Sequence, residues 1–241
     1  MNNLTEILNI FQDKQTLAAK YAADLLKWSE EQDQLTIALS GGSTPKVLFQ
    51  HLAEHYINKM DWSKIHFFWG DERCVPSDHE DSNYKMTYDL LLRHIPESQR
   101  NIYRVKGEND PEIEAIRYAE LIQSIVVEKN GFPQFDVMML GMGDDGHTAS
   151  IFPDQMELLT VNTICATAKH PVSGQIRVSL TGKVINNAKR ITFLVTGGGK
   201  AERMREIFAE EGKYQSYPAT HVKALDGKLS WYVDTAATTL L

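Results

Sequence analysis

The sequence predicts an α/β fold built on a doubly wound, mostly parallel sheet. Three observations predict it. Four short apolar runs stop abruptly at Gly, Thr or the start of a glycine-rich loop. Those runs are continuous rather than alternating, as expected of strands buried on both faces. The segments between them carry apolar residues at helical spacing.

In chain order, Leu17, Tyr21 and Leu25, with Ala18, Ala22 and Leu26, form the first helical stripe. "LTIAL" (35–39) is a strand that runs into "SGGSTPK", and "IHFFW" (65–69) is one that runs into "GDER". Asp110 and Pro111 read as the N-cap and first turn of a helix whose core stripe is Ile113, Ile116, Ala119 and Ile122. "FDVMML" (135–140) runs into "GMGDDGH", and "ITFLV" (191–195) into "TGGGK". Ala201, Met204 and Phe208 then open a last stripe. Right-handed crossovers join these pieces. No linker, fixed-period repeat or low-complexity stretch interrupts them, so residues 1–241 are expected to form a single α/β domain.

Composition narrows the function classes. The net charge is -7 and no basic stripe stands out, which argues against a nucleic-acid partner. An anionic ligand must then be held by local Arg, Lys and backbone N–H groups. Cys74 and Cys165 are the only cysteines and lack CxxC spacing. They read as small buried residues in a reducing compartment, not as a disulfide or zinc-thiolate pair. The N-terminal "MNNLTEILNIFQDK" has neither a basic start nor a long apolar run. A cytoplasmic protein without membrane contact is expected, as a monomer or a homodimer.

In open α/β sheets, ligands bind outside the carboxyl ends of the strands. Four polar motifs follow the four strands and can therefore face one crevice. In "SGGSTPK", Gly41 and Gly42 allow a tight turn, Thr44 reads as an N-cap and Pro45 as the first helical residue. The free N–H groups there, with Ser43 and Thr44, suit a phosphate; an ordinary capped turn is the plainer alternative. "GDERCVPSDHEDSNY" brings Asp71, Glu72 and Arg73 to a strand end, either for an anion or as a surface ion-pair cluster. Asp81 or Ser82 caps the next helix, with Asn83 and Tyr84 packing the loop. Lys200, at a helix start where a cation is unfavourable, points to an anionic partner or is simply solvated. Arg177 in "QIRVSLTG" adds a further cation. In "GMGDDGHTASIFP", His147 suits general-base work, with a nearby aspartate to orient it. Asp144, Asp145 and His147 as metal ligands lack a second histidine at a metal spacing, and no GxSxG elbow supports a serine hydrolase.

"LSGGSTP", "FWGDERCVP" with "DSNY", "LGMGDDGHTASIFP", "RVSLTG", "GGGKAE" and "LDGKLSWYVD" together resemble the 6-phosphogluconolactonases, in order, from about Leu35 to Asp234. The resemblance implies a modified Rossmann-type fold similar to glucosamine-6-phosphate isomerase. It implies hydrolysis of 6-phosphogluconolactone to 6-phosphogluconate in the oxidative pentose phosphate pathway, with no cofactor and no metal. It implies His147 as base with Asp145 beside it, Arg73 lining the substrate site, and the phosphate among Gly42, Ser43, Thr44, Arg177 and Lys200. Gly41 and Asp71 belong to the same expected site.

The related deaminases resemble this pattern but carry a glutamate where Phe152 stands before Pro153, and a tyrosine where Arg73 stands. Aldose–ketose isomerisation must move protons between carbon and oxygen, and Phe152 cannot help. Lactone hydrolysis needs only an activated water. A glucosamine-6-phosphate deaminase/isomerase and a non-catalytic phosphosugar sensor are the rival readings. Which of Asp144 and Asp145 approaches the ring is open at this point, as are the roles of Lys169 and His170.

Overall fold

The computed structural model describes residues 8–241. Residues 1–7, which belong to the stretch read for a leader and to the 1–241 range, lie outside the described residues. Seven strands form one parallel sheet: β1 (Leu8–Phe11), β2 (Leu35–Leu39), β3 (Ile65–Trp69), β5 (Asn101–Ile102), β8 (Val137–Leu140), β11 (Arg190–Val195) and β12 (Lys228–Asp234). Their order is β1-β12-β11-β8-β2-β3-β5, and every pairing is parallel. All four predicted strands are present. The further strands, β1 and β5 at the edges and β12 beside β1, carry weaker patterns: β5 has two residues, and β12 begins exposed before its buried end.

Successive side chains of the central strands enter opposite cores, which is why the runs are continuously apolar. Ile37, Leu39, Phe67 and Trp69 face one core, with Leu17, Tyr21 and Leu25 of helix α1 (Lys14–Glu30) and Leu48 and Phe49 of α2 (Ser43–His55). Ala38, Phe68, Met138 and Phe193 face the other, with Tyr118 and Ile122 of α4 (Pro111–Ile125) and Met204 of α6 (Ala201–Ala209). Two further helices are α3 (Asn83–Leu90) and α5 (Gly182–Asn187).

The stripe on α4 differs from the predicted one. Asp110 does cap it, accepting from the N–H groups of Glu112 and Ile113. Yet Ile113 and Ile116 are 65% and 64% exposed. The buried face runs through Ala115, Tyr118 and Ile122, because the Tyr118 hydroxyl bonds both the N–H and the C=O of Trp69 and sets the helix's rotation. Cys165 is buried as expected, whereas Cys74 is half-buried against the core.

A second sheet was not foreseen. β4 (Asp71–Arg73), β10 (Ile176–Leu180) and β9 (Cys165–Lys169) pair antiparallel, with Arg73 opposite Arg177 and Asp71 opposite Ser179. A short hairpin, β6 (Glu128–Lys129) and β7 (Phe132–Pro133), completes the strands. Among the described residues, no helix is long and apolar enough to cross a membrane.

Candidate active site

From β2 the chain steps through β3 to β5 in one direction; from β8 it steps through β11 to β12 in the other. The switch lies between β2 and β8, where a crevice opens in such sheets. A cleft of about 220 Å³ lies there, lined by Gly41, Gly42, Ser43, Thr44, Asp71, Arg73, His147, Arg177 and Lys200. Asp145 does not line it but contacts His147. The structure thus gathers every predicted site residue.

The β2–α2 loop forms one lip. The N-cap of α2 is Gly42, not Thr44, and Ser43, Thr44 and Pro45 already lie in the first turn. Gly42 adopts φ 106°, a conformation open to glycine and costly for Thr, so the helix starts two residues earlier than expected. No side chain caps this end. The N–H groups of Ser43 and Thr44, which have no partner within the helix, border the cleft at the positive end of the helix dipole. The Thr44 hydroxyl meets that of Thr196 at 2.8 Å, tying this lip to the loop after β11.

The loop after β8 presents the histidine. His147 Nδ1 lies 2.6 Å from Asp145 Oδ1, and the same oxygen accepts the His147 backbone N–H at 3.1 Å. Asp145 is therefore the residue that approaches the ring. Burial raises its pKa, but the hydrogen bond to His147 and the attraction of the ring in its protonated, imidazolium form outweigh this and hold it at about 2. An ionised carboxylate only accepts, so Nδ1 carries a hydrogen in either state of the ring, and it is Nε2 that has the lone pair whenever the ring is neutral. Gly143 leaves room for the pair, since a Cβ there would stand 2.2 Å from Nδ1. Phe152, fully buried, packs against the imidazole with ring centroids 4.8 Å apart. Ala149, with φ 47°, is held in the left-handed region between His147 and the buried Ser150.

The small sheet supplies the opposite wall. Arg177 is 7% exposed, its guanidinium 5.5 Å from the Phe152 ring centroid and 3.9 Å from Asp71 Oδ2. Burial, partly offset by Asp71 and reinforced by Arg73, moves its pKa below the usual arginine value. Asp71 accepts from the Ser150 hydroxyl at 2.6 Å. Arg73 donates from Nη1 to the carbonyl of Asp81. The Nε groups of Arg73 and Arg177 are both buried without a protein partner.

Some neighbours of the motifs do other work. Glu72 turns away from the cleft and accepts from the N–H groups of Asn83 and Tyr84, at the start of α3. Of the two predicted caps for that helix, Ser82 serves, accepting from the Lys85 N–H. Asn83, expected only to pack a loop, lines the cleft and donates to the carbonyl of Asp71. Ser150 was missed because nothing local in "HTAS" tells that its hydroxyl meets an aspartate 79 positions away. Lys200 ends a 3-10 turn just before α6 and pairs with Asp144. Lys169 and His170 do not line the cleft; His170 packs edge-on against Phe152.

The family model for glucosamine-6-phosphate isomerases/6-phosphogluconolactonase matches residues 12–231. The chain belongs to this family. The 6-phosphogluconolactonase of Haemophilus influenzae is 44% identical over 96% of this chain and 98% of its own. The crystal structure of the devB protein superposes with a TM-score of 0.92 at 42% identity, covering 97% of this chain and 98% of the other. The 6-phosphogluconolactonase of Trypanosoma brucei gives 0.82 at 27% identity, covering 98% of each chain. The modified Rossmann-type architecture is thus that of the isomerase/lactonase family.

Proposed function

We propose that the protein is a 6-phosphogluconolactonase, hydrolysing 6-phosphogluconolactone to 6-phosphogluconate in the oxidative pentose phosphate pathway. It works in the cytoplasm as one α/β domain, monomeric or homodimeric. The single observation that carries this reading is the Asp145–His147 pair at the rim of a cleft whose other walls offer two arginines and an uncapped helix start. Relatives named as this enzyme match nearly the whole chain.

The phosphate binds at the Ser43–Thr44 N–H groups, with Arg177 and Lys200 supplying positive charge. This anchor sets the lactone carbonyl beside His147. Nε2 takes a proton from water, whose oxygen attacks the carbonyl carbon. Asp145 keeps the ring in the required tautomer and stabilises the imidazolium that forms. The tetrahedral oxyanion is held by Arg73, whose buried Nε lacks a protein partner. As the intermediate collapses, the bond from the carbonyl carbon to the ring oxygen breaks, and His147 returns the proton to that oxygen. The products are a carboxylic acid and a free hydroxyl, with no electrons exchanged.

Phe152 favours this chemistry over isomerisation. It puts an apolar ring against His147 and Arg177 where a carbon–proton transfer would need a second titratable group. The test is a coupled assay on freshly generated 6-phosphogluconolactone, corrected for spontaneous hydrolysis. Turnover by the wild type and its loss in His147→Ala are expected. Release of ammonia from glucosamine 6-phosphate, without lactonase turnover, would overturn the reading in favour of a deaminase.

A further inference from the structure

Two aspartates stand side by side in the loop after β8, and they face different cations. Asp145 holds His147, whereas the Asp144 carboxylate pairs with Nζ of Lys200, which lines the cleft. The backbone fixes this arrangement. Arg203 of α6 donates from Nε to the Asp144 carbonyl at 3.0 Å, pinning the loop against the helix that Lys200 precedes. Lys200 is largely covered, its side chain 21% exposed, while that of Asp144 is 87% exposed. The pair therefore has one partner that can swing into water and one that cannot travel far.

We infer that Asp144 is an internal competitor for Lys200, which loosens phosphosugar binding and speeds release of the product. The inference rests on the proposed phosphate site. Lys200 presents a single ammonium, so a phosphate reaching it must displace or share the Asp144 carboxylate. The same exchange runs in reverse after hydrolysis. Asp144 re-forms its pair with Lys200 as the phosphate leaves, so substrate and product are weakened alike. The carboxylate contacts no reacting atom, and the effect falls on binding constants rather than on the chemical step.

The experiment compares wild type, Asp144→Asn, Lys200→Met and the double variant, each checked for an unchanged melting temperature. KM for 6-phosphogluconolactone and the inhibition constant for 6-phosphogluconate are measured for each. Asp144→Asn should lower both constants about two- to fivefold, the size expected of an ion pair with one exposed partner. In the Lys200→Met background the same substitution should change neither. Unchanged constants for Asp144→Asn, or an equal drop in both backgrounds, would overturn the inference. The second result would assign the effect to net charge alone. If no protein turns over the lactone, it is the proposed function that fails. The competition is then read from calorimetric binding of 6-phosphogluconate to the same four proteins, with the same two outcomes.

Discussion

The two walls of the cleft are built on different principles. The parallel-sheet side uses backbone: glycine loops at the ends of β2 and β8, an uncapped helix start, and one histidine held by its neighbour two residues away. The small-sheet side uses charge, with the buried Asp71 and Arg177 and the half-buried Arg73 brought together by pairing strands about a hundred residues apart. The first wall tolerates little change of shape, because a single Cβ at Gly143 would collide with the pair it surrounds. The second tolerates little change of charge, because each buried ion there depends on another or on a ligand.

The largest expected effect removes the proposed base from the backbone wall. His147→Ala should lower kcat by about a hundred- to ten-thousandfold, the usual share of general acid–base catalysis. Phosphosugar binding, followed by calorimetry, should survive. Near wild-type turnover would remove His147 from the mechanism. Gly143→Ala attacks the same wall by shape alone. Its Cβ would stand 2.2 Å from His147 Nδ1 and 2.7 Å from Asp145 Oδ1, so the pair must shift. A displacement of that kind costs about a hundredfold in kcat, and a kcat equal to wild type would show that the pair need not be held so closely.

Arg177→Ala probes the charge wall. Losing a charge-assisted contact to the phosphate should raise KM about ten- to a hundredfold with a smaller change in kcat. Steady-state kinetics would show instead a kcat effect if the guanidinium served the oxyanion. Lys200→Ala should raise KM less, about two- to fivefold, since Lys200 already spends part of its charge on Asp144.

The smallest effect concerns acid stability. Asp145 titrates at about 2, below its ordinary value of 3.8. A carboxyl depressed in the folded state contributes stability that is fully present above about pH 4 and is lost as the pH falls through about 2. Asp145→Asn should therefore flatten that part of the curve of melting temperature against pH. The carboxylate is partly exposed, which keeps the change modest. A wild-type acid profile in the variant would mean that the pair does not contribute to folding.

Much of this is legible in the sequence alone. The four central strands, the glycine loops at their carboxyl ends and the crevice they share follow from local signals, because a strand buried on both faces must be apolar throughout. His147 and its aspartate are close in sequence and so were visible as a pair, though adjacency could not choose between Asp144 and Asp145. The backbone made that choice by turning one carboxylate inward to the ring and the other outward to Lys200. The face of α4 was misread because two phases of its stripe fit helical spacing, and one hydroxyl contact with Trp69 decided between them.

The sequence by itself determined the sheet, the side of the sheet on which the cleft opens, and the presence of a histidine among cations. Those properties depend on residue type and short-range spacing. Only the tertiary structure decided the second sheet, the burial of Arg177 against Phe152, the link from Ser150 to Asp71 and the separate partners of the two aspartates. Each depends on residues distant along the chain or on which way a side chain turns, and composition and periodicity carry no record of either.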